Sequence, residues 1–239
     1  MHDLSHVHLG CDTGEAVAGP GRNREIALLS YVSAVSIACG GHSGDRDSMH
    51  ELITQASAQD CIVGAHPSYP DRKNFGRRAL DIDLGVLESS LRDQLAMFAQ
   101  IVEKCSETVS FIKAHGALYH TVARDPDFAR WYWDVCASVI ENARFVGPFN
   151  SPALDELRAA GVPVFTEGFC DRVYEDDGTL RSRNLDCACI IDPKLAAEQA
   201  ERLIRESGCD FLCVHSDTEN AFDIAKAVRG RLFELAFDS

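Results

Sequence analysis

Val109-Ser110-Phe111-Ile112-Lys113-Ala114-His115-Gly116-Ala117-Leu118-Tyr119 is the stretch on which the fold turns. Its first half is short, apolar and partly β-branched, which suits a strand buried on both faces. It then passes directly into a lysine, a histidine and a glycine. An unpaired lysine at the end of a buried strand is costly, so Lys113 is expected to face an opening and meet a carboxylate or a ligand oxygen. The competing reading is a lysine that snorkels to solvent.

The same sequence of events recurs along the chain. Apolar runs of strand length occur at 7–9 (VHL), 35–38 (VSIA), 61–65 (CIVGA), 144–149 (RFVGPF), 162–166 (VPVFT) and 210–214 (DFLCV), with ACII at 188–191 as a further candidate. Helical stripes lie between them. Leu84, Leu87, Leu91, Leu95, Phe98, Val102 and Cys105 recur every three or four residues, as do Ala221, Ile224, Ala225, Val228, Leu232 and Leu235. Met49, Leu52, Ile53 and Ala56 make a shorter stripe. Asp125-Pro126, Ser151-Pro152 and Asp192-Pro193 each pair an N-cap oxygen with a proline at the first helical position. Gly161 and Gly208 are placed to end helices. Strand and helix thus alternate about seven times, and right-handed crossovers then give one parallel sheet, open or closed.

The polar residues favour closure. Runs of strand length lead into Asp12 and Glu15, into His42 and Asp45, into His66, into His115, into Glu167, Asp171 and Arg172, and into His215 and Asp217. In a closed barrel all C-terminal strand ends meet at one mouth, whereas an open sheet would gather only some of them. A lone histidine is usually packed or solvated; four that each follow a strand point to a shared site. Glycines crowd the same clusters and allow tight turns or close approach to a ligand. The loop from His66 to Asp83 is long and carries Arg72, Lys73, Arg77 and Arg78, so it is a candidate lid with an anion site at FGRR. Neither a P-loop nor a dinucleotide fingerprint is present.

The 239 residues suffice for one barrel domain spanning 1–239, and 46% hydrophobic with 25% charged residues is an ordinary globular balance. The net charge of −14 speaks against broad nucleic-acid or anionic-membrane contact. It leaves room for a small anionic substrate in a locally basic pocket. No stretch of about 18 apolar residues suggests a membrane span. Residues 1–10 have no apolar core of a secretory leader. Ten cysteines without a CxxC pair read as free thiols in a reducing cytoplasm.

Several motifs, in order, resemble the LamB/YcsF family over almost the whole chain. HLGCDTGE at 8–15 is similar to the family's DLNCDLGE, SIACGGHSGD at 36–45 to NIACGFHAGD, and KAHGALY at 113–119 to KPHGALY. GAHPSYPD at 64–71 and FGRR at 75–78 match directly. CDRVYEDDGTL at 170–180, followed by Arg183, resembles ADRxYxxDGxL, and CVHSDT at 213–218 resembles CVHGDT. The departures are His8 for the family's aspartate, Gly10 and Ser36 for asparagines, Gly41 for phenylalanine and Ser216 for glycine. The resemblance implies an irregular, TIM-like (β/α) barrel of the glycoside hydrolase/deacetylase type. It also implies opening of the lactam 5-oxo-L-proline to glutamate, driven by ATP hydrolysis, alongside 5-oxoprolinase subunits B and C.

For such chemistry Asp12 is expected as base or metal ligand with Glu15 as its partner, His115 as proton donor and Lys113 as the stabiliser of developing negative charge. His42, Asp45, His66, Arg77, Arg78, Tyr119, Asp171, Arg172, Arg183, His215 and Asp217 are the candidate substrate-binding residues. Asp12, His42 and His66 are an alternative set for a divalent metal that activates water. Two other readings stay open on Gly10 and Ser36, where two amides are missing. One is a metal-dependent deacetylase or amidase acting alone; the other is a non-catalytic partner subunit.

Overall fold

The computed structural model describes residues 6–16, 18–183 and 185–237; Met1–Ser5, where the reading for a leader begins, lie outside them. Seven parallel strands close into a barrel in chain order, with β1 (His8–Thr13) beside β7 (Phe211–His215). Between them run β2 (Ala34–Ala38), β3 (Ile62–His66), β4 (Val109–Lys113), β5 (Arg144–Pro148) and β6 (Val164–Phe169). The helices are α1 (Pro20–Leu28), α2 (Arg46–Ser57), α3 (Leu84–Lys104), α4 (Gly116–Arg124), α5 (Pro126–Ala137), α6 (Pro152–Ala159), α7 (Pro193–Ser207) and α8 (Ala221–Phe237). Each proline-marked start is capped as its residues require: Asp125, Ser151 and Asp192 accept from the N–H groups of Phe128, Leu154 and Leu195 at 3.0, 3.1 and 3.1 Å. Gly208 closes α7 in the left-handed conformation. Leu87, Leu91, Leu95, Phe98 and Val102 of α3 are buried, whereas Leu84, at its first turn, is exposed. No helix among the described residues is long and apolar enough to cross a membrane.

ACII at 188–191 is not a barrel strand. Glu167 in β6 pairs directly with Phe211 in β7, so the ring has no gap to fill. Cys189 instead forms an isolated antiparallel bridge with Arg172, within the long connection from β6 to α7. The sixth strand also begins and ends later than VPVFT suggests, which brings Glu167 and Phe169 into it.

The barrel interior is layered by the two-residue period of its strands. Ala34, Phe111, Val146, Phe165 and Phe211 form an apolar plug, with the Phe111 and Phe211 rings 5.0 Å apart. Two glycines make room for it. A Cβ at Gly10 would lie 2.7 Å from the Phe211 ring, and one at Gly64 only 2.1 Å from Phe111. The missing amide at position 10 therefore belongs to the plug, where Phe211 takes the space. One step up each strand come Asp12, Ser36, His66, Lys113, Glu167 and Cys213, all buried. The period that builds the plug thus builds a polar layer above it.

The loop after β3 is clamped onto the start of α4. Gly116 has φ +57°, and a Cβ there would lie 2.6 Å from the Gly76 carbonyl oxygen, which accepts from the Ala117 N–H at 2.9 Å. Gly116→Ala is expected to cost about 1–3 kcal/mol, read as a lower urea midpoint; an unchanged midpoint would count against the clamp.

Candidate active site

The floor of the site is one buried ammonium between two carboxylates. Lys113 Nζ lies 2.9 and 3.1 Å from the two Asp12 oxygens and 2.7 Å from Glu167 Oε1. The approach to Glu167 Oε1 is close, but that oxygen makes no well-directed hydrogen bond, so charge holds it. Glu167 Oε2 accepts from the Tyr119 hydroxyl at 2.6 Å. Burial alone would lower the Lys113 pKa, but Asp12 foremost among its neighbours drives it well above the ordinary value. Burial would likewise raise the Asp12 carboxyl, and the Lys113 ammonium overrides it and holds that group ionised, well below the usual range. At Glu167 burial wins against Lys113 and the pKa is raised. The two carboxylates are therefore unequal partners of one cation.

Beside this floor lies a cluster of histidines around Glu15. His66 Nδ1 is 2.7 Å from the Lys113 carbonyl oxygen, and His115 Nε2 is 3.0 Å from that of Phe75. The facing nitrogens, His66 Nε2 and His115 Nδ1, are 3.1 Å apart. Glu15 Oε1 sits 3.0 Å from His115 Nδ1, 3.2 Å from His42 Nε2 and 3.8 Å from His66 Nε2. The His42 ring stacks on His115 at 3.6 Å. Burial would raise the Glu15 carboxyl, but its bonds to His115 and His42 hold it well below its usual value. Burial pushes His66 down to about 3, so that ring is neutral at pH 7. The Glu15 backbone is fixed from behind: the N–H groups of Gly14, Glu15 and Ala16 donate to the Glu25 carboxylate at 3.2, 3.0 and 2.9 Å.

A third unit faces them. His215 Nδ1 lies 2.9 Å from Asp171 Oδ1, and Asp171 Oδ2 accepts from the His215 N–H at 2.9 Å and the Thr218 hydroxyl at 2.5 Å. Asp171 is fully buried; burial would raise its pKa, and His215 with these hydrogen bonds lowers it instead. The ring stacks on Phe169 at 5.3 Å, and Nε2 is left for the cavity that His215 lines. At the rim, Asp217 Oδ2 accepts from Arg77 at 3.0 Å and Arg183 at 3.2 Å. The cavity, open at the barrel mouth, measures about 330 Å³.

The model of the LamB/YcsF family fits residues 7–237. This chain belongs to the LamB/YcsF family. It is 35% identical over 235 residues to the A subunit of 5-oxoprolinase from Chloroflexus aggregans, covering 93% of each chain. It is 34% identical over 238 residues to that of Campylobacter jejuni strain 81-176, covering 95% of this chain and 93% of the other. The crystal structure of a lactam utilization protein from Thermus thermophilus superposes with a TM-score of 0.83 at 29% identity, over 96% of both chains.

In this LamB/YcsF barrel the cavity is lined by Asp12, Glu15, His66, Arg77, Lys113, His115, Tyr119, Arg172, Arg183, His215 and Asp217. His42 and Asp171 stand behind that wall, holding Glu15 and His215. Asp45 is not brought to the cavity: its carboxylate caps α2, accepting from the Ser48 N–H at 2.8 Å in a capping box. Arg78 is exposed and outside the lining. Arg72 ties its loop to the carbonyls of Gly40 and Gly44, both at 2.9 Å. Arg172 lines the cavity but spends its guanidinium on the carbonyls of Ala188 and Arg181. Arg181, Phe169 and His120 also line it, though no motif marks them as site residues, and Glu167 supports the floor. The sequence marks Glu167 only as a polar residue after a run of strand length, and its place on the floor follows from its pairing with β7; Glu25 carried no comparable signal.

Among the described residues two groups bring donor atoms within reach of one cation: Glu15 with His42, His66 and His115, and Asp12 with Cys213 and His215. The Lys113 ammonium, 3.3 Å from the Cys213 sulfur, already occupies the second.

Proposed function

We propose that this chain opens the lactam ring of 5-oxo-L-proline to L-glutamate with water, as the A subunit of an ATP-dependent 5-oxoprolinase that includes subunits B and C. The names of its relatives support the substrate and the assembly. The observation that carries the reading is the buried Lys113 ammonium at the floor of a small cavity rimmed by arginines. A fixed cation in a water-poor site is worth most where negative charge develops, here on the lactam oxygen.

Each residue then has a task. Water adds to the carbonyl carbon, the C–N bond breaks, and the ring nitrogen takes a proton, which yields an amine and a carboxylate. Lys113 holds the oxygen. Asp12, held well below neutrality, is a weak base; it fixes Lys113 and accepts a hydrogen bond from the water. Glu15, held in place by His42 and His115, orients that water. Both ring nitrogens of His115, the expected proton donor, are engaged within the protein. Asp171 holds the His215 hydrogen on Nδ1 and leaves Nε2 bare on the cavity side, so Nε2 takes a proton from the attacking water and passes it to the ring nitrogen as the C–N bond breaks. Arg77 and Arg183 meet the substrate carboxylate in exchange for Asp217.

The cavity residues do not fit ATP. No glycine-rich phosphate loop leads into a helix at this cavity, and its arginines Arg77, Arg172 and Arg183 are already engaged by Asp217 or by backbone carbonyls. ATP therefore enters no step at this cavity, and its part falls to the other subunits. A cytoplasmic setting accords with ten cysteines, none of them bridged.

Glutamate release from 5-oxoproline, measured with and without ATP and with and without subunits B and C, tests the reading. Release that needs both supports it. Release by this chain alone without ATP would make it an independent amidase, and no release in any combination would make it a non-catalytic component.

A further inference from the structure

Two imidazole lone pairs face each other inside this protein. A carbonyl oxygen only accepts, so His66 carries its hydrogen on Nδ1, against the Lys113 carbonyl, and His115 carries its own on Nε2, against that of Phe75. In the neutral rings the opposing atoms, His66 Nε2 and His115 Nδ1, are then bare, at 3.1 Å. Bare lone pairs at that distance repel, so a positive centre belongs between them. One such centre is a proton on His115 Nδ1, donated to His66 Nε2 and Glu15 Oε1; a cation held by the same three atoms is the other, and the titration below separates them. Glu15 Oε1 completes a third corner, 3.0 Å from one nitrogen and 3.8 Å from the other. Zinc–ligand bonds of about 2.0–2.2 Å imply tetrahedral edges of roughly 3.3–3.6 Å, and the three observed edges bracket that length.

We propose that Glu15 Oε1, His66 Nε2 and His115 Nδ1 bind one divalent cation of the zinc class, with a fourth position open to the cavity. The surroundings are those of a metal centre. Both histidines are anchored through their other nitrogen to backbone oxygens, and His42 Nε2 donates to Glu15 from behind. Mixed imidazole and carboxylate donors favour zinc, cobalt or iron over magnesium or calcium. The set differs from Asp12, His42 and His66 because Lys113 claims Asp12 and His42 is turned to Glu15. This inference stands on ring geometry, and its test reads bound cation, so its failure leaves the lactam reading intact and the converse also holds.

The full-length chain is stripped with a chelator, dialysed and titrated with cobalt(II) chloride at pH 7.5, following visible absorption and melting temperature. The expected result is one cobalt per chain with an intense low-symmetry spectrum, a higher melting temperature, and displacement by one equivalent of zinc. His66→Gln and Glu15→Gln, checked for native circular dichroism, should each weaken binding by at least about 100-fold, while His50→Gln, at an exposed position on α2 outside the cavity, binds as the parent does. A parent spectrum that stays that of the aqueous ion, or full-affinity binding in His66→Gln, overturns the proposal.

Discussion

Lys113→Met is expected to abolish turnover and to lower stability by about 3–5 kcal/mol at pH 7, the cost of leaving buried charge without its partner. The variant keeps the length and the apolar stem of the side chain, so the loss reports on the ammonium and its contacts, including the one with the Phe169 ring at 5.3 Å. Asp12 and Glu167 then face each other with no cation between them. The pH dependence has a definite sign. Asp12 has a depressed pKa, so its contribution is present above the unfolded value of about 3.9 and is lost as pH falls through the folded one. Lys113 has a raised pKa, so its contribution is present below about 10.4 and is lost as pH rises through the folded value. The pair therefore stabilises the fold across neutrality. Without Lys113, burial pushes both carboxyls up, and protonation in mild acid removes the unpaired charge. The gap between parent and variant should thus be widest near pH 7 and narrow by pH 4.5, as read by urea unfolding at both. Adding Asp12→Asn to Lys113→Met should recover part of the stability and none of the activity. A gap below about 1 kcal/mol at pH 7 would mean that the pair is weakly coupled to folding.

The residues that announced the barrel did so through position as much as type. Asp12, His66, Lys113 and His215 each stand at or near the end of a run of strand length, and parallel strands in a closed ring bring all such ends to one face. That relation is local in sequence, so it could be read without any contact information. What could not be read depends on partners distant in the chain. β6 extends to Phe169 because Glu167, Gly168 and Phe169 pair with β7, more than forty residues on, and only this pairing turns Glu167 inward. ACII is apolar enough for a strand but is spent on covering the loop that carries Arg172. Asp45 shows the opposite failure: Ser48, three residues later, marks a helix cap, and the attraction of a shared acidic mouth outweighed that local signal. Gly10 reads as a lost amide only while Phe211, which fills its space, is out of view. The tautomers of His66 and His115 lie furthest from the sequence, since they follow from which carbonyl meets which ring.

Asp171→Asn separates the proton carrier from the rest of the site. Asp171 accepts from the His215 ring, from the His215 backbone and from Thr218, and it touches no part of the cavity. It is a positioning residue. An amide in its place can present N–H to Nδ1, which drives the ring hydrogen to Nε2 and leaves the wrong tautomer facing the substrate. The expected loss in kcat is about 10²–10⁴-fold, with KM close to that of the parent because the arginine rim and Lys113 are untouched. His215→Gln should lose as much, and the double variant little more, since the two act as one unit. A structural role alone would lower stability without this split. A second readout makes the distinction sharper: the parent should show a downfield, exchange-protected imidazole N–H resonance that both single variants lose. If Asp171→Asn retains parental kcat in the complete assay, the proton reaches the leaving nitrogen by another route, and the engaged nitrogens of His115 would have to open to supply it.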